Sequence, residues 1–236
     1  MKTIIHKSGT RGHANYGWLD THYTFSFANY YDPGRVHFGM LRVLNDDIIA
    51  GGGGFDRHPH DNMEIITLVL DGVLEHQDNM GHKMQIRPNE VQVMTAGSGI
   101  FHSEYNHDPE KPLNLLQIWV FPDKKNLKPR YNQKIFEAAG RKNKWQKIVA
   151  PDDPESLSIN QDAIFSRIML DKGNSTDYRL SGKNHGVYLF VIDGEIKSGE
   201  LILGKRDGAG FSELTLLPVT AQSTSEILLI EVPMNA

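Results

Sequence analysis

The chain has 236 residues, enough for one large domain or two small ones with a buried core. Its 39% hydrophobic and 23% charged residues exclude a mostly disordered chain. A net charge of −4 argues against direct capture of nucleic-acid phosphates, and the absence of cysteine excludes disulfides, zinc fingers, iron–sulfur clusters and thiol nucleophiles.

The N-terminus, Met1-Lys2-Thr3-Ile4-Ile5-His6-Lys7, has too few apolar residues for a signal-peptide core. No stretch approaches the ~18 apolar residues of a membrane span, so a cytoplasmic protein without membrane contact is expected. Short apolar or alternating runs then recur at 39–44, 64–70, 73–77, 91–95 and 114–121. Turns separate them at Asp71-Gly72, Asn79-Met80-Gly81 and Pro88-Asn89. Many short strands at this spacing predict a sandwich or barrel, and only 133–139 and 156–161 read as helical. Polar, proline-marked stretches at 122–131 and 150–155 read as linkers, and the basic run 141–144 as solvated surface. The division expected is 1–122, a connection with a short helix over 123–155, and 156–236.

The second half echoes the first. Leu68-Val69-Leu70-Asp71-Gly72-Val73-Leu74-Glu75 aligns with Phe190-Val191-Ile192-Asp193-Gly194-Glu195-Ile196-Lys197, an apolar strand, an Asp-Gly turn and a returning strand. The closing apolar runs 115–122 and 227–233 both end in proline. A duplicated β-barrel accounts for both matches.

Ten of the 11 histidines lie between His6 and His107, leaving only His185 in the second half. Two segments concentrate potential ligands: Gly52-Gly53-Gly54-Phe55-Asp56-Arg57-His58-Pro59-His60, and Gly97-Ser98-Gly99-Ile100-Phe101-His102-Ser103-Glu104. Side chains at i and i+2 on a strand share a face, so His58 with His60, and His102 with Glu104, would point into a barrel. Placed side by side, the two strands would form a cage of three imidazoles and one carboxylate, suited to a divalent transition ion with open coordination positions. A helical His-Glu-x-x-His site, a P-loop and a dinucleotide fingerprint are all absent. His76, His82 and His107 read as surface-turn residues. Trp18, Phe25, Phe27, Tyr30 and Tyr31 read mostly as core, and Phe55 and Met63 as the better pocket candidates. Arg11 and His13 could support the site or form a salt-bridged loop. Asp56 and Arg57 could pair with each other or orient ligands.

At these residues the chain resembles the pirin family of bicupins. The resemblance runs through Arg11-Gly12-His13, Gly17-Trp18-Leu19, Thr24-Phe25-Ser26-Phe27, Tyr30-Tyr31-Asp32-Pro33, His58-Pro59-His60 and Met94-Thr95-Ala96-Gly97-Ser98-Gly99-Ile100-Phe101-His102-Ser103-Glu104. It is specific over 11–122, nearest to bacterial pirin-like quercetin dioxygenases, and general beyond about residue 160. It implies an all-β fold of two cupin barrels packed face to face, with one metal in the first. Implied ligands are His58, His60, His102 and Glu104, rather than the Glu64 of the ordinary cupin motif. Iron(II) is the expected ion, with manganese, nickel, cobalt, copper and zinc as alternatives. The implied activity is cleavage of the central ring of flavonols such as quercetin by dioxygen, releasing carbon monoxide, with Glu104 as base. The alternatives are a metal-containing regulatory module without turnover and a cupin enzyme acting on another small chelating metabolite. A monomer is expected. Gly97 and Val91 depart from the general second cupin motif, which has proline and glycine there. Carried across the Asp-Gly alignment, His58, His60 and Glu64 fall opposite Leu180, Gly182 and Gly186, so the second barrel should hold no ion.

Overall fold

A computed structural model describes residues 1–235. The first strands are β1 (Lys2–His6), β2 (Gly12–Asn15), β3 (Leu19–Tyr23), β4 (Leu41–Ile49), β5 (Gly54–His60), β6 (Glu64–Asp71) and β7 (Leu74–Asp78). There follow β8 (Lys83–Ile86), β9 (Glu90–Thr95), β10 (Ile100–Asn106), β11 (Leu113–Val120), β12 (Arg130–Ile135), β13 (Gln146–Val149) and β14 (Ile164–Leu170). The last are β15 (Ser175–Arg179), β16 (His185–Asp193), β17 (Glu195–Ser198), β18 (Leu201–Gly204), β19 (Gly208–Ser212), β20 (Leu216–Ala221) and β21 (Ser225–Pro233).

These strands make two barrels of the same design. In the first, a sheet ordered β12-β9-β6-β11-β4-β3-β2 opposes a smaller sheet β5-β10-β7-β8. In the second, β1-β19-β16-β21-β14-β13 opposes β15-β20-β17-β18. The duplication read at the Asp-Gly turns is therefore structural: β6–β7 corresponds to β16–β17, and Gly72 and Gly194 both take a positive φ, +85° and +87°.

The large sheets pack against each other, which explains their sequences. Ile65 to Val69 on β6 and Gly186 to Ile192 on β16 are buried without alternation, because each sheet is covered on both faces. One core cluster joins Leu44, Ile66 and Leu116 of the first barrel to Phe165, Tyr188 and Phe190 of the second. At ~1.5–3 kcal/mol per fully buried large apolar side chain, this layer is a major source of cohesion between the halves. The small sheets carry water on one side and alternate: β10 reads buried at Ile100, His102, Glu104 and Asn106, and more open between them.

Each barrel gains an edge strand from outside its own segment. β1 pairs with β19 of the second barrel, Ile4 opposite Gly210, while β12 pairs with β9 of the first, Lys134 opposite Val91. The division at 122 and 156 stands as a proposal about domains, with β1 crossing from the first segment to the second barrel and β12, inside the connection, adding to the edge of the first. The helix expected over 133–139 is instead the end of β12 followed by a single 3-10 turn at Ala138–Arg141. The open edge of β9 captures Arg130–Ile135, overriding a weak local preference. Nor is 156–161 a helix: Leu157 bridges to Val149, Asn160 binds the Glu64 carboxylate, and the Gln161 amide donates to the Phe121 carbonyl at 2.8 Å.

Candidate metal centre

Gly54 opens β5 where a Cβ would lie 2.4 Å from the Glu104 carbonyl, so only glycine lets β5 approach β10 this closely. His58 then faces His102 directly across the ladder. The register slips by one residue between His102 and Glu104, a bulge that re-aims the carboxylate relative to the imidazoles. The departure at Gly97 also has a reason: its φ is +52°, and a Cβ there would sit 2.0 Å from the Leu127 carbonyl oxygen.

The predicted residues converge. The His58, His60 and His102 rings lie 4.4–4.9 Å apart between centroids. One nitrogen from each falls within 4.8 Å of the others. Glu104 joins a second group with His102 and His76 under the same limit, so His102 is shared by both. His58 Nδ1 donates to the Asp56 carbonyl at 2.7 Å, which leaves Nε2 as its free lone pair. The Gln117 amide donates to one Glu104 oxygen at 3.0 Å, and Thr67 donates to Gln117 at 3.1 Å. Among the four candidate ligands, two buried atoms remain without partners: Nε2 of His102 and the other carboxylate oxygen of Glu104. Leaving such groups unpaired costs about 1–3 kcal/mol each, a cost an ion would remove.

The electrostatics agree. Burial, then the neighbouring His58, holds the His60 imidazole down to about 4. Burial, then His58, His60 and His76, holds His102 down to about 2. Both are neutral and free to coordinate. Burial, then the charge of Asp47, pushes Glu104 up to about 8 against the Gln117 hydrogen bond. Two imidazoles held neutral and a carboxyl that binds its proton too well favour a cation in their midst.

Glu64 is not part of this group. It is fully buried and bonded to Thr95 and to both the backbone and side chain of Asn160, so it anchors the inter-barrel connection. His76, read from the sequence as a surface-turn residue, is fully buried. It alternates in phase with Leu74 and Asp78 on β7, and that spacing was the signal that it points inward. Burial lowers its pKa, against the Asp78 hydrogen bond. His107 does lie exposed, whereas His82 is half-buried against Asp78. Among the described residues, His13, Asp20 and His22 form a further cluster, open to solvent and with His13 bonded to Asp20 at 2.8 Å.

Aromatic rings surround the mouth of the first barrel. Trp18 meets Phe55 edge-on at 5.0 Å, Phe27 meets Trp119 at 5.2 Å, and Trp119 meets His60 at 4.9 Å. A cavity of about 270 Å³ opens between Trp18, Tyr23, Phe27, Phe55 and Asp47. Trp18 and Phe27 thus line a pocket rather than only the core, while Phe25 is core and Tyr31 faces solvent. Met63 packs with the Ile65 cluster. Burial pushes the Asp47 carboxyl up to about 7. Arg11 takes no part: it pairs with Asp46 at 3.3 Å and covers Phe190 at the barrel interface. Asp56 accepts the Tyr105 hydroxyl, and Arg57 stacks on Phe101, so they do not pair with each other.

Among the described residues, the second barrel has no such centre. Its strand pairing places Tyr178 where His58 stands, Leu217 where His102 stands and Val219 where Glu104 stands. Leu180, bonded through its backbone to Thr215, takes the place of His60. This shifts the sequence alignment by two residues on β15, because the connection to β16 is two residues longer; Gly186 still matches Glu64. His185 is structural, bonded to Glu231 at 2.9 Å.

Residues 5–120 match the family described as Pirin, and residues 147–232 the quercetinase C-terminal cupin domain. The chain is 42% identical over 230 residues to a quercetin 2,3-dioxygenase of Escherichia coli K12, covering 97% of this chain and 98% of that one. It is 41% identical over 222 residues to a pirin-like protein of Caulobacter vibrioides, covering 93% and 95%. A crystal structure of a bacterial pirin from Escherichia coli in complex with nickel(II) superposes with a TM-score of 0.93 at 40% identity, covering 98% and 99%. The chain belongs to the pirin family.

Proposed function

We propose that this pirin-family chain is a metal-dependent dioxygenase that opens the central ring of flavonols such as quercetin and releases carbon monoxide. The ion would be held by His58, His60, His102 and Glu104. The observation that carries this reading is the pair of buried, unpartnered atoms, His102 Nε2 and a Glu104 oxygen, beside an aromatic-walled cavity. The donor set of three imidazoles and one carboxylate admits iron(II), the expected ion, as well as nickel or manganese. When bound, such an ion acidifies a coordinated hydroxyl and orients the substrate. The remaining work falls to the chain. Trp18, Phe27 and Phe55 would clasp a flat ring system and exclude water. Glu104 would accept the flavonol 3-hydroxyl proton, and the Gln117 amide would steady the carboxylate through its other oxygen.

The test is purified, metal-loaded protein with quercetin in air, followed by carbon monoxide release and loss of flavonol absorbance. Turnover that Glu104→Gln reduces ~10²–10⁴-fold supports the reading. Full metal content with no turnover of any flavonol would contradict it and favour a metal-containing regulatory module.

A further inference from the structure

We propose that His76, braced by Asp78, is a positioning residue that fixes the tautomer and orientation of His102 for metal binding. The inference rests on the four-ligand reading above.

Asp78 and His76 have fully buried side chains, and His76 Nε2 lies 3.3 Å from an Asp78 carboxylate oxygen. The carboxylate can only accept, so His76 Nε2 carries the hydrogen and Nδ1 carries the lone pair. Asp78 is itself held in place by His82 Nδ1 at 2.8 Å and by the Met80 and His82 amides. His76 Nδ1 lies 3.4 Å from His102 Nδ1. Two ring nitrogens at that distance share one proton, so His102 Nδ1 must be the donor. Its lone pair is then on Nε2, the atom left buried without a partner. The Gln92 amide, 3.3 Å from His76 Nδ1, donates to the same lone pair.

A metal-bound histidine usually gives its outer N–H to a carboxylate or carbonyl. Here a second imidazole is interposed, and the carboxylate stands behind it. Both nitrogens of His76 are engaged, so it has no lone pair left for an ion. The Asp-Gly correspondence places Ser198 at this position in the second barrel, where Leu217 stands for His102. The brace and the residue it braces are absent together.

The first test needs neither mutation nor metal. Nitrogen-15 NMR of the metal-free wild-type protein should show His102 protonated at Nδ1 and His76 at Nε2; His102 protonated at Nε2 would overturn the inference. The second is competitive titration with cobalt(II), following the visible ligand-field bands. His76→Leu should weaken binding ~10–100-fold and change the bands. His76→Gln, whose amide can accept from His102 and donate to Asp78, should recover most of both. Unchanged affinity and bands in His76→Leu would overturn the inference, as would loss of one nitrogen ligand from the cobalt sphere, which would make His76 itself a ligand. If wild-type protein showed the expected tautomers but bound no cobalt, the four-ligand reading would fall and with it the role assigned to the brace.

Discussion

The two barrels share a strand order and differ in what fills them. The second has a continuous apolar interior: Ile168, Val187, Leu189, Leu217, Val219 and Leu229 belong to one buried cluster. In the first, the apolar interior is split into a group around Leu74 and Leu115 and a group around Ile65 and Met94. Buried His76, His102, Glu104 and Gln92 lie on the strands that also carry these groups. One architecture thus tolerates either a closed core or a polar centre. The choice is made at a few inward positions of β5, β7 and β10 and their counterparts.

Copying the second barrel into the first should give the largest effect. The double variant His102→Leu/Glu104→Val should bind almost no metal and lose turnover. It removes two buried, unpartnered polar atoms but strips the Gln117 amide and His76 Nδ1 of partners, so the two effects offset and metal-free stability in urea unfolding should change by less than about 3 kcal/mol. A variant that kept metal or was strongly destabilised would break the comparison.

The converse disturbance lies in the second barrel. Glu231 is buried and accepts from Tyr178, Ser181, Gly182 and His185 at 2.8–3.0 Å. Glu231→Gln should cost about 1–3 kcal/mol of stability while leaving metal content at the wild-type level. A fall in metal content would show that the second barrel shapes the centre.

A smaller effect is pH-dependent. Glu104 binds its proton more tightly when folded, with a pKa near 8 against an ordinary 4.5. Its contribution to metal-free stability is therefore complete below about 4.5 and is lost as pH rises through about 8. His60 and His102 run the other way: depressed from 6.5 to about 4 and 2, they contribute above 6.5 and lose it as pH falls. Glu104→Gln should flatten the loss of stability between about pH 4.5 and 8 in a urea series on metal-free protein and leave the loss towards acid pH that His60 and His102 cause. The smallest effect is expected from Glu64→Gln. Metal content and turnover should change less than about twofold, because Glu64 binds Thr95 and Asn160 rather than the ligand group.

Much of the centre was legible because strands report facing by parity: the His58/His60 and His102/Glu104 spacings placed four side chains on inner faces. The duplication was legible because an Asp-Gly turn needs a residue tolerant of positive φ in both copies. What escaped the sequence was set by long-range pairing. The turn-rich neighbourhood of β7 hid the burial of His76, although its parity with Leu74 was visible. Capture of Arg130–Ile135 by β9, and the crossing of β1 to β19, depend on edges that local preference does not describe. The two-residue shift on β15 arose from a longer connection, which a fixed alignment cannot absorb.

One ion should bind in the first barrel and none in the second. Anomalous diffraction from crystals of nickel-loaded protein tests it most directly. One strong peak is expected within coordinating distance of His58, His60, His102 and Glu104, and none beside Tyr178, Leu180, Leu217 and Val219. A principal peak at the exposed His13, Asp20 and His22 cluster, a second peak in the C-terminal barrel, or a peak coordinated by Glu64 instead of Glu104 would contradict it.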